Sequence, residues 1–266
     1  MVVFLIGAAV AVAAAARSTW SPCGLSMLSS ITPFAERARG HRYTATAAWF
    51  VLGATAGGAV LGAAAAGPAA ALGHWDRSHQ TVAAAMAVTA ALIDAGWFGP
   101  VLPLVRRQVD PRWLDRYRPW VYASGFGWQI GLGVATYLMT AGVLLVVGLA
   151  VLSGSPVTAV GIGAVFGLAR GSTVFLTAGS SAPAALRRLH GRLDRLELPV
   201  RAGVVAVQLG AAALIELPVG LAAAALMGAG AVVRVAVRGR RLPVGHRPPL
   251  GPGLHRPRPT PKMPVR

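Results

Sequence analysis

The chain has 266 residues, 55% of them hydrophobic and only 12% charged, with mean hydropathy +0.60. A soluble domain carries about 25% charged residues, so this composition excludes an ordinary soluble globular protein. The net charge is +17, supplied by arginines and the single Lys262; most of these arginines sit between long apolar runs, as juxtamembrane charge does, which argues against nucleic-acid binding.

The first apolar run covers residues 2–16 and continues past Arg17, through Trp20-Ser21-Pro22-Cys23-Gly24-Leu25, to about Ile31. No positively charged start of a cleaved signal precedes it, so it is read as a retained helix broken near Pro22. A second run covers 43–72 and a third about 81–105. A basic connection, Arg106 to Pro119, leads into a fourth run over 121–152 that is glycine-rich at its start. Ser153-Gly154-Ser155-Pro156 is a turn, and a fifth run follows over 157–180. In 185–200, Leu186, Leu189, Leu193 and Leu196 recur at helical spacing with Arg187, Arg188, Arg192 and Arg195 between them, the pattern of an interfacial helix. A sixth run covers 202–233. The Pro/Arg-rich tail, 234–266, has the composition of a disordered segment.

The expected fold class is therefore an all-α polytopic membrane protein with about six transmembrane helices, multi-pass in the plasma membrane and in contact with the lipid bilayer. Arginine is concentrated in the first, third and fifth connections, which places those in the cytoplasm and the N-terminus outside. Trp20-Ser21-Pro22-Cys23-Gly24-Leu25 has an echo at Trp128-Gln129-Ile130-Gly131-Leu132, each opening a helix followed by two further runs. This predicts two inverted three-helix repeats, 1–105 and 121–233, within a transmembrane domain spanning 1–233.

Cys23 is the only cysteine, which excludes an internal disulfide and any multi-cysteine zinc site. A proline beside a thiol at membrane depth marks a break that faces protein or a water-filled cavity. Asp94, Arg170 and Glu216 lie inside apolar runs, where charge is costly. Arg170 is expected to pair with Asp94 or Glu216, either lining a pathway or forming a buried structural pair. Gln129 and Gln208 are expected to make interhelical hydrogen bonds. His74 and His79 flank Asp76 in one short loop without forming a metal-ligand spacing. Gly131-Leu132-Gly133 follows no strand and is not a dinucleotide fingerprint. No metal and no cofactor is expected.

Ser21-Pro22-Cys23 on the first helix, Phe126-Gly127-Trp128 in the second half, the three-plus-three layout and the length resemble the CcdA/DsbD transmembrane family. That resemblance implies a carrier of reducing equivalents across the membrane, acting in thiol-disulfide exchange and cytochrome c biogenesis, with thioredoxin-like proteins as partners. It implies that Cys23 and Pro22 form the reactive motif. The family has a second cysteine near a proline in the first helix of its other half. That position falls at about 129–131 here and holds neither, so exchange would run through a mixed disulfide with another protein or a second copy. The wider superfamily resembled includes exporters of small solutes and ions that need no cysteine. The alternative reading is thus a transporter using Asp94, Arg170 and Glu216, and a third is a membrane scaffold that assembles a partner complex.

Overall fold

In a computed structural model, residues 1–98, 113–135 and 137–240 are described, with side chains to Gly228 apart from Asp115. Among the described residues the chain is helical, without strands. It divides into two units, Met1–Met227 and Gly228–Arg266. The described part of the second unit is the end of one helix.

The first break is written by Pro22. Helix α1 (Val2–Arg17) runs into a 3-10 turn at Ser18–Trp20, and α2 (Pro22–Ser30) restarts beyond it. The proline ring disfavours helical backbone at the residue before it; Ser21 accordingly lies extended at φ −66°, ψ 151°. Its hydroxyl then accepts the amide of Gly24 at 3.1 Å, capping α2 with Pro22 as its first residue. Short α3 (Pro33–Ala38) starts on a Thr32 cap in the same way.

Helix α4 (Tyr43–Leu72) is the central strut, 30 residues long, or about 45 Å. Adjacent residues on a helix point about 100° apart, so α4 presents two glycine faces. Gly58 and Gly62 lie against the backbone of α9 (Pro156–Ser172) at Gly163, Gly167 and Ala159. Gly53 and Gly57 lie against Ser124 and Trp128 of α7 (Pro119–Gly131), whose own Gly127 and Gly131 meet Phe50 and Ala54. These small-residue spacings bring backbones together where lipid offers no hydrophobic drive.

Helix α5 (Arg77–Asp94) begins with a capping box between Asp76 and His79. It ends before the expected 105: Gly96 adopts φ 77°, and Trp97 and Gly96 return their amides to Leu92 and Ile93, closing a Schellman motif. Residues 99–112, with most of the basic connection, lie outside the described residues. Helix α6 (Trp113–Arg116) precedes α7. The fourth run is not one helix. It breaks after Gly131, and α8 (Gly142–Leu152) restarts beyond it.

After α9 a 3-10 turn, Thr173–Thr177, leads to α10 (Pro183–Ile215), in which the amphipathic stretch and the expected sixth run form one continuous helix. That run ends at Glu216, which is extended at φ −148°, ψ 95° before α11 (Leu217–Arg240); Pro218 has no N–H to continue the α10 ladder, and its ring would meet the carbonyl of Leu214 four residues back. The tail from 241 lies outside the described residues. Among the described residues four helical segments are long and apolar enough to cross a membrane: Val2–Trp20, Tyr43–Leu72, Pro156–Thr177 and Pro183–Ile215. The third and fourth expected crossings are not among them. Helix α5 opens with Arg77, Ser78, His79, Gln80 and Thr81, and α7 and α8 are short, with 13 and 11 residues.

Candidate functional site

Two helix breaks and a capped corner collect the polar chemistry. At the first break Cys23 is 2% exposed, in the first turn of α2. The Arg170 guanidinium, 2% exposed near the end of α9, lies within charge-interaction range of Cys23. It also sits 5.9 Å from the Phe166 ring centroid. Its Nη2 has no hydrogen-bond partner among the described residues. Arg17 lies just before the break, donating Nη2 to Glu197 Oε1 of α10 at 3.2 Å and lying 6.0 Å from the Trp20 ring centroid. Trp20 Nε1 donates to the Leu193 carbonyl at 3.1 Å. The amphipathic half of α10 is thus fastened across the break.

At the second break Asp94, 8% exposed, reaches from the end of α5 to the start of α8. Its Oδ1 accepts the Ala141 amide at 2.8 Å, and its Oδ2 accepts Gln208 Nε2 of α10 at 2.7 Å and the Thr140 hydroxyl. Thr140 Oγ1 in turn accepts the Gly142 amide at 3.0 Å. Arg201 donates its Nε to the Asp94 backbone carbonyl, not to the carboxylate. The buried carboxylate thus supplies acceptors at the start of α8, where backbone donors have no partner within the helix.

The expected pairing of Arg170 with Asp94 or Glu216 is not formed. Arg170 instead interacts electrostatically with Cys23. Glu216 lies at the other end of α5 from Asp94, accepting the Thr81 hydroxyl on Oε1 at 3.4 Å while its buried Oε2 has no described partner. Thirteen residues of helix separate Thr81 from Asp94, about 20 Å. Gln129 is half-buried on α7 and makes no side-chain hydrogen bond among the described residues, whereas Gln208 makes the interhelical bond expected of it.

Sequence reasoning missed Thr140 and a third cluster around Glu36. Glu36 is fully buried and accepts Thr46 Oγ1 and Tyr122 Oη at 2.7 Å each and Arg39 Nη1 at 2.9 Å, with His41 Nδ1 at 3.7 Å. Thr32-Pro33 is a helix-start signal that places Glu36 in the first turn of α3. Nothing local announces Tyr122 as its partner. Thr140 two residues before Gly142 is a cap-type residue inside an apolar run, the signal that would have located the second break. His79 is used by the capping box of α5. Among the described residues no group of three or more histidine, cysteine or acidic side chains could hold a metal ion. No family model matches the chain, and neither a curated protein nor a solved structure matches it.

Proposed function

We propose that the chain is a multi-pass plasma-membrane protein on the CcdA/DsbD plan, in which Cys23 exchanges disulfides with thioredoxin-like partners, work of the kind that serves cytochrome c biogenesis. The observation that carries this reading is the placement of Cys23 in the first turn of a restarting helix, within electrostatic range of the buried Arg170 guanidinium. In the exchange the Cys23 thiolate attacks one sulfur of a partner disulfide. A Cys23–partner disulfide forms, and the partner's other sulfur leaves as a thiolate. A second partner thiol then attacks the mixed disulfide and returns Cys23 to its starting state. One cysteine suffices for such a relay, and no internal disulfide is needed. Because Cys23 is buried, the break between α1 and α2 must open for a partner to reach it.

The six-crossing, two-half layout belongs to this proposal. In its support, the first run of each half is interrupted, α4 meets α9 along glycine stripes, and α1 lies on α9 as α7 lies on α4. The test is the state of Cys23 in native membranes. Acid-trapped cells labelled with a heavy maleimide should yield a reductant-sensitive adduct larger than the monomer, absent in Cys23→Ser. A fully reduced, label-resistant thiol overturns the redox reading.

A second reading, transport of a small solute or ion, is favoured by Asp94, a carboxylate beside a helix break with no ion pair to its oxygens among the described residues. Reconstituted vesicles should then show a flux that falls in Asp94→Asn.

A further inference from the structure

We infer that the cleft between the 173–180 turn and the basic half of α10 seats the phosphate of an anionic phospholipid. The cleft holds about 210 Å³, the volume of about seven waters, which leaves room for a phosphate ester. Its walls include Leu176, Gly179 and Ser180 from the turn and Arg188, Leu189 and Arg192 from α10. Arg188 and Arg192 stand four residues apart and share one face of the helix. No ion pair or hydrogen bond joins either guanidinium to another described residue. Of the nearby acids on α10, Glu197 is taken by Arg17, and Asp194 forms no ion pair with either arginine. Ser180 is 3% exposed, lines the same cleft, and offers a hydroxyl. Two unneutralised guanidinium groups and a buried hydroxyl form a donor set for a phosphate oxyanion.

The surroundings distinguish a lipid from a free anion. Leu176 of the wall and Phe175 before it in the turn are 48% and 52% exposed, and Leu196 and Leu198 further along α10 are 48% and 72% exposed. Apolar side chains interleaved with arginine at the end of a membrane-spanning helix match the headgroup–acyl boundary, where an anionic phospholipid presents phosphate and chain together.

The experiment uses the full chain in a neutral detergent, with native mass spectrometry counting phosphatidylglycerol or phosphatidylcholine retained from equal additions. The wild type should retain phosphatidylglycerol preferentially. Arg188→Gln with Arg192→Gln should weaken retention by about 25-fold, roughly fivefold per arginine. Arg187→Gln with Arg195→Gln, which removes the same charge outside the cleft, should leave retention largely intact. Gly179→Leu, with open space around its Cβ position, should fill the cleft and reduce retention with both arginines present. Equal retention of the two lipids, or equal losses in the two double variants, overturns the assignment. Inorganic phosphate displacing phosphatidylglycerol at equal concentration would assign the cleft to a free anion and overturn the lipid.

Discussion

Asp94, the last residue of α5, accepts the backbone amide of Ala141 at 2.8 Å, 47 positions along the chain. The same carboxylate holds Thr140 and Gln208, so one acidic side chain ties α5, the start of α8 and α10 together. The first break is repaired within its own turn by Ser21, whereas the second borrows its cap from another helix.

Asp94→Ala should therefore destabilise the protein by about 3 kcal/mol, because it leaves buried donors without an acceptor. Thr140→Val should cost about 1–2 kcal/mol by the same reasoning. Thermal unfolding in detergent reads both, and wild-type stability in Asp94→Ala would remove the capping role.

Glycine contacts between α4 and α9 set a second expectation. A Cβ at Gly58 would meet the Gly163 carbonyl, and a Cβ at Gly163 the Gly58 carbonyl, backbone atoms that cannot rotate away. Gly58→Ala and Gly163→Ala should each cost about 1–3 kcal/mol. Gly210→Ala on α10, with nothing within 4 Å of its Cβ position, should instead be neutral or stabilise by up to about 1 kcal/mol.

The α5 cap gives a pH dependence. The His79 backbone amide, foremost, and then the Ser78 hydroxyl hold the Asp76 carboxyl below its ordinary value of 3.8. A carboxylate depressed in the folded state contributes its stability fully above the unfolded value and loses it as pH falls through the folded one. Between pH 6 and pH 3 the wild type should lose more unfolding temperature than Asp76→Asn, which caps without titrating. Parallel curves would show that the cap carries no charge-dependent stability.

Tyr122→Phe should cost about 1.5–3 kcal/mol, since it removes a hydrogen bond to the buried Glu36 carboxylate. Chemical unfolding of the variant beside Thr46→Val, which loses a second donor to the same oxygen, checks whether the cluster acts as a unit.

The sequence by itself determined the helical, membrane-type character, because long apolar runs set by the bilayer's thickness are local properties. It determined the first break too: Pro22 excludes helical backbone at Ser21, and a serine there caps the helix that restarts beyond it, all within a few residues. Gln208, polar in an apolar run, was legible as an interhelical donor. The second break has only Thr140 to mark it locally, and the tertiary structure alone decided what closes it, because the carboxylate is Asp94, 47 positions before Ala141. It also decided that Asp94, Arg170 and Glu216 stand apart, since charge in an apolar run says only that a partner is needed. Which atoms satisfy it depends on which helices meet, and here the glycine stripes of α4 bring α7 and α9 against its backbone.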